Sequence, residues 1–161
     1  MATVPVTSPK TLAQWLAQLP EFANSTRWGI GGSCLLQQLG LVTHCRDLDI
    51  VTTEAEFPKL AACLQRHLAA QVVAPHPLFC SRFFAAFRHP SGVVVELMAG
   101  IAVVKNQHTH HWQFDPNLLV VKEQLPWMQA SQWLALYQLF DRPASVALLK
   151  HHLALSANTL D

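Results

Sequence analysis

Residues 28–52 place the tightest constraint on what this chain can become. Trp28-Gly29-Ile30-Gly31-Gly32-Ser33 is a short apolar run ending in glycines and a serine, and the apolar segment Cys34–Leu39 follows it. Further on, Arg46-Asp47-Leu48-Asp49-Ile50-Val51-Thr52 alternates strictly. Side chains two apart in a strand share a face. Asp47, Asp49 and Val51 therefore fall on one side, and Leu48 and Ile50 on the other. Two carboxylates set side by side on a strand with a buried back repel and raise each other's pKa. A hard divalent cation, which prefers oxygen ligands, relieves that repulsion. A glycine turn leading into a helix offers free backbone N–H groups and the positive end of the helix dipole, which together hold a phosphate. The two halves point to chemistry on a nucleoside triphosphate.

A third acid strengthens the pattern. Only ten Asp and Glu residues exist, in a chain that is 13 % charged and 51 % hydrophobic, so each acid in an apolar setting needs a reason. Glu96 is the lone charge in the strand-like run Gly92–Met98, on one face with Val94 and Met98. It is either a metal ligand or the ion-pair partner of Arg82 or Arg88 across a hairpin. Ser33 either caps its helix or holds a phosphate. Arg46 contacts phosphate or offsets the charge of its acidic neighbours.

Ile30-Gly31-Gly32-Ser33, the spacer Cys34–Arg46 and Asp47-Leu48-Asp49-Ile50, with Glu96 later, resemble the DNA polymerase beta-like nucleotidyltransferases. Those proteins carry an apolar residue, Gly-Gly or Gly-Ser, roughly a dozen residues, Asp-apolar-Asp-apolar and a third acid on a neighbouring strand. The likeness spans most of the chain and leans toward the small antibiotic-type (aminoglycoside or lincosamide) members. It implies an α/β (α+β) fold, with a mixed sheet flanked by helices and a short C-terminal helical tail. It implies a two-ion Mg²⁺ site on Asp47, Asp49 and Glu96, with Glu96 also able to take the acceptor's proton. It further implies that Gly31, Gly32, Ser33 and Arg46 bind the triphosphate, with ATP foremost and a small hydroxylated molecule as acceptor. In the family the tail helps form the acceptor pocket. Tyr137-Gln-Leu-Phe-Asp-Arg142 resembles the stretch found there, but Pro143, Ala144 and Ser145 replace the lysine and acid that commonly follow.

Size and composition set the rest. The 161 residues suffice for one domain, residues 1–161, with a core over about 20–123 and a helical tail over about 126–161. The formal charge of +1 gives no basic excess to hold a long nucleic acid. The longest apolar stretch, Val93–Val104, is interrupted by Glu96 and too short to span a bilayer. Residues 1–10 lack a signal-like run. Cys34, Cys45, Cys63 and Cys80 show no CxxC spacing and read as reduced core thiols. The expectation is a cytoplasmic protein, monomeric or homodimeric.

Ser8-Pro9 opens a helix through Leu12, Trp15, Leu16 and Leu19, which Pro20 stops. Strands are expected at Thr26–Ile30, Gln71–Ala74, Arg82–His89 and Gly92–Met98, and helices at Phe57–Ala70, Ser131–Phe140 and Pro143–Ala154. Pro75-His76-Pro77 reads as a rigid loop. His111–Phe114 and Leu118–Lys122 suggest a hairpin around Asp115-Pro116-Asn117. His108, His110 and His111 carry ligand-type side chains but no nearby cysteine, and read as solvated. Trp112, Trp127, Trp133 and Tyr137 are placed in the core in preference to stacking on a base. Gly29-x-Gly31 with Asp49 imitates a dinucleotide fingerprint, yet Cys34 stands at the third glycine position and the intervening helix is too short.

Overall fold

The computed structural model describes residues 5–74 and 79–158; the Pro75-His76-Pro77 loop lies outside the described residues. The first helix, α1 (Pro9–Leu16), begins with a reciprocal cap. The Thr11 N–H donates to the Ser8 hydroxyl at 3.2 Å, and the Ser8 N–H donates to the Thr11 hydroxyl at 2.9 Å. Leu12, Ala13 and Leu16 are fully buried. Pro20 does more than stop α1. It opens α2 (Pro20–Ala23), because a fixed φ suits the first position of a helix.

A seven-stranded mixed sheet forms the centre, in the order β3-β4-β5-β2-β1-β9-β8. Its members are β1 (Trp28–Gly31), β2 (Leu48–Thr52), β3 (Ala69–Gln71), β4 (Phe83–Arg88), β5 (Val94–Ala99), β8 (Val120–Lys122) and β9 (Leu125–Trp127). β2 runs antiparallel to β1 and parallel to β5, and β9 runs parallel to β1. The glycine turn leads into α3 (Gly32–Gln38), and α4 (Phe57–His67) follows β2. α5 (Ala130–Leu139) and α6 (Pro143–Asn158) close the chain. The mixed sheet flanked by helices, with a helical C-terminal end, is the fold class that the sequence implies.

One face of the central strands is hydrocarbon. Leu48, Ile50, Val95, Leu97 and Ile30 are fully buried there, and Phe57 of α4 stacks on Phe83 at 5.1 Å. At roughly 1.5–3 kcal/mol for each large side chain, this face supplies much of the drive to fold.

The structure departs from the sequence reading in several places. α1 ends at Leu16 rather than Leu19, Asp47 stands before β2 rather than in it, and the strand expected at Gln71–Ala74 is β3, at Ala69–Gln71. α4 ends at His67, three residues early, because Leu68 is extended and Ala69–Gln71 pair with β4. The expected hairpin around Asp115-Pro116-Asn117 does not form. Instead β6 (Ala102–Lys105) pairs with β7 (His108–His111) as a separate two-stranded sheet, and β8 pairs with β9. The turns are Asn106-Gln107 and Glu123-Gln124, all four with φ between 50° and 66°. That left-handed pair is what a two-residue hairpin wants, but Asn and Gly usually mark it. Asp115 instead starts a 3₁₀ turn over Pro116–Leu118, its carboxylate accepting from the Asn117 N–H at 3.0 Å. Finally, only Cys34 and Cys63 are buried thiols; Cys45 is half-buried and Cys80 exposed.

Candidate active site

The acids come together through strand register. Asp49 stands beside Glu96 in the parallel β2–β5 pair and opposite Gly31 in the antiparallel β1–β2 pair. Neighbouring positions across a ladder point to one face, so Gly31, Asp49 and Glu96 share it. Asp47 lies just before β2 and is half-buried.

The carboxyls sense one another. Asp49 is held well above the usual carboxylate range, first by burial, then by the charge of Glu96 and a hydrogen bond with it, then by Asp47. Glu96 is also raised, by burial above all. Its hydrogen bond with Asp49 works the other way, and the charge of Asp47 adds to the rise. Neither acid has an ion-pair partner among the described residues. Arg82 pairs with Glu54 at 3.3 Å, and Arg88 donates to Gln71 at 3.4 Å, so the cross-hairpin salt bridge open to Glu96 is not made. Ala86 is what faces Glu96 on β4.

The glycine turn fits closely under Asp49. Gly32 has φ +62°, a conformation costly for a residue with a Cβ, and a Cβ there would collide with Asp49 Oδ2. Gly31 has no such freedom to spare either, since a Cβ on it would run into the Trp133 ring. Ser33 is not the cap of α3. Gly31 occupies that position, and no side chain caps the helix. The Ser33 hydroxyl accepts from the Arg46 N–H at 3.0 Å and donates toward Cys45 Sγ at 3.7 Å. The Arg46 side chain is exposed and in no ion pair among the described residues.

Trp133 of α5 forms a wall of this turn, a role the sequence did not signal. Core placement was expected and is found, at 2 % exposure for both Trp133 and Trp127. What could not be read is which backbone Trp133 covers. Its Nε1 is buried with no acceptor in good hydrogen-bond geometry among the described residues. Tyr137 meets it edge-on at 5.7 Å; burial chiefly raises the Tyr137 hydroxyl, its interaction with the Trp133 side chain opposes that, and the charge of Asp49 adds to the rise. The histidines of β7 are all exposed.

No protein-family profile matches the chain, and no curated protein matches it. A solved structure does. A candidate nucleotidyltransferase from Thermotoga maritima superposes with a TM-score of 0.64 at 18 % identity, over 89 % of this chain and 91 % of that one. The chain has a nucleotidyltransferase-like fold. The dinucleotide-binding alternative finds no support in a sheet whose β1 and β2 are antiparallel neighbours.

Proposed function

We propose that the protein is a Mg²⁺-dependent nucleotidyltransferase. It moves a nucleoside monophosphate from a triphosphate, ATP foremost, to a hydroxyl of a small acceptor, as the antibiotic-type members do. One observation carries the reading: Asp49 and Glu96 stand side by side, with no ion-pair partner among the described residues, in front of a glycine turn that Asp49 itself overhangs.

The donor set suits the ion. All three candidate ligands are carboxylates, which a hard cation prefers. Among the described residues no three His, Cys, Asp or Glu side chains are gathered to hold a metal on their own. Mg²⁺ commonly takes one or two carboxylates and completes its shell with substrate phosphates and water, so the triphosphate supplies the remainder. Asp47, Asp49 and Glu96 would hold the cations, whose chemistry would be to lower the pKa of the attacking hydroxyl and offset charge on the departing pyrophosphate.

The chain's own residues have distinct tasks in this scheme. Asp47 and Asp49 hold the cations, and Glu96 serves the acceptor side. The raised pKa of Glu96 brings it closer to the range in which a carboxylate takes a proton effectively. The N–H groups of Gly32 and Ser33, free of helical partners at the start of α3, face the terminal phosphates. Arg46, exposed beside them, adds a positive charge. Net charge +1 fits a small acceptor better than a polynucleotide.

A panel of triphosphates and hydroxylated acceptors, read by pyrophosphate release, tests the proposal. Turnover should fall about 10³-fold or more in Asp49→Ala, a loss of about 4 kcal/mol in transition-state stabilisation. A second reading has one observation in its favour, the lack of a ready-made three-ligand group. It is a catalytically silent module that binds a nucleotide or a protein. It predicts calorimetric ATP binding with no pyrophosphate released from any acceptor.

A further inference from the structure

Strand register fixes two of the three acids and leaves the third to other bonds. Asp49 and Glu96 are set by pairing with a neighbouring strand. Asp47 stands before β2 and takes part in neither strand pair, at the end of the loop that returns from α3. A metal ligand at a loop end must be ordered by its surroundings, or the entropy of ordering it is lost from the binding. Three contacts supply that order. The Arg46 N–H donates to the Ser33 hydroxyl at 3.0 Å. The Ser33 hydroxyl donates to Cys45 Sγ at 3.7 Å, and the Cys45 thiol donates to the Asp47 carbonyl oxygen at 3.6 Å. Sulfur is a weak donor and a weak acceptor, but it is large, and both distances suit it. One chain of hydrogen bonds therefore runs from the glycine turn, through a hydroxyl and a thiol, to the main chain of Asp47.

We propose that the Ser33 hydroxyl and the Cys45 thiol are positioning residues that set where the Asp47 carboxylate meets the cation, and that this hydroxyl does not bind phosphate. The proton count carries the second half. A hydroxyl has one hydrogen to give, and an ionised phosphate oxygen only accepts. Ser33 gives its hydrogen to Cys45 and receives one from Arg46. Turning to a phosphate would release the sulfur and loosen Asp47 from the turn. The inference rests on the nucleotidyltransferase reading, and it moves the hydroxyl of Ser33, not its N–H, away from the triphosphate.

Ser33→Ala and Cys45→Ala test it. In metal-free protein, NMR amide exchange at Arg46 should quicken in Ser33→Ala and quicken less in Cys45→Ala. In turnover, half-saturating Mg²⁺ should rise about tenfold in each variant, while KM for the triphosphate at saturating Mg²⁺ stays within about twofold. Residues that act through one chain are not additive, so Ser33→Ala/Cys45→Ala should be no worse than the worse single variant. Ser33→Thr, which keeps the hydroxyl, should restore the Mg²⁺ dependence. A triphosphate KM that rises at saturating Mg²⁺ in Ser33→Ala, with the Mg²⁺ dependence unmoved, makes the hydroxyl a phosphate ligand and overturns the proposal. Single-variant effects that simply multiply, or unchanged Arg46 exchange in Ser33→Ala, overturn it as well. If the native chain releases no pyrophosphate, the nucleotidyltransferase reading fails. Amide exchange and the Mg²⁺-induced rise in melting temperature, compared between native chain and variants, then still decide whether Ser33 and Cys45 hold Asp47.

Discussion

On one face of the central strands, Trp28, Ile30, Leu48, Ile50, Val95 and Leu97 interlock as hydrocarbon. On the other, Gly29, Gly31, Asp49 and Glu96 share the alternate positions of the same strands with the buried Val51 and Met98. Two tryptophans show the difference. Trp28 Nε1 donates to the Phe22 carbonyl at 3.0 Å, whereas Trp133 Nε1, buried on the acid side, meets no acceptor in good hydrogen-bond geometry among the described residues. On the first side the Thr52 hydroxyl is likewise satisfied, donating to the Arg27 carbonyl at 2.7 Å. On the second, a donor with no well-placed acceptor, two raised carboxyls and a turn with no spare volume are tolerated together. Buried polar groups left in this condition cost free energy, and such departures collect where a protein binds or reacts.

Substitutions one residue apart should therefore pull in opposite directions. The largest effect belongs to the hydrocarbon side: Ile50→Ala removes a fully buried side chain and should cost about 3–4 kcal/mol in urea unfolding. A loss below about 1 kcal/mol would mean that this face packs loosely and the contrast is overstated.

Gly32→Ala should come next. The left-handed backbone costs about 1–2 kcal/mol, and displacing the Asp49 carboxylate brings the total to about 2–3 kcal/mol. Gly40→Ala is the control, since φ is +76° there but nothing lies within 4 Å of the added Cβ. Its cost should stay near about 1 kcal/mol. Equal losses at both sites would show that Asp49 exerts no pressure on the turn.

Asp49→Asn should stabilise the protein at neutral pH. A carboxyl whose folded pKa is raised keeps its proton longer in the native state than in the unfolded one. Stability is then lost as pH rises from the unfolded value, about 3.9, through the folded one. The variant should melt higher at pH 7, on the order of 2–4 °C for each kcal/mol of repulsion removed, with the gap closing toward about pH 4. Mg²⁺ should raise the melting temperature of the native chain and leave the variant unchanged. A variant that melts lower at neutral pH would make Asp49 a stabilising residue.

The smallest effect, under about 1 kcal/mol, is expected for Glu56→Gln. Glu56 is held low by Lys59 at 2.9 Å and by the Ser25 hydroxyl at 2.8 Å. Its contribution has the reverse pH sign: present at neutral pH and lost as pH falls through the lowered folded value. Thermal melts from pH 7 to pH 3 should separate the two acids by slope.

The site was more legible in the sequence than its surroundings. Strict alternation through Leu48–Val51 and the isolation of Glu96 carry the strand and the face of Asp49 and Glu96, because a side-chain period of two leaves no freedom, whereas Asp47, read as part of the same strand, lies just before it. Gly31-Gly32 announces a turn because few other residues tolerate its backbone. The hairpins β6–β7 and β8–β9 were hidden because Gln107, Glu123 and Gln124 adopt left-handed angles that their side chains do not advertise. Asp115-Pro116-Asn117 drew attention as a turn and is one, but it joins no pair of strands. The Trp133 wall was unreadable for another reason. Contacts made by a helix a hundred residues away follow from how β9 docks beside β1, with Ile30 opposite Trp127, and not from any local pattern.

The carboxylate oxygen resting above Gly32 ties two distant positions into one heritable unit. A lineage that surrendered the acid at 49 would lift the steric half of the restriction on 32, leaving only its backbone angle to be met. Asparagine or aspartate could then settle there at small cost. Among descendants of this fold, residue 32 should drift only where residue 49 has already shortened or lost its oxygens. A glycine retained beside an intact Asp49 would mark a chain in which this geometry is still under selection.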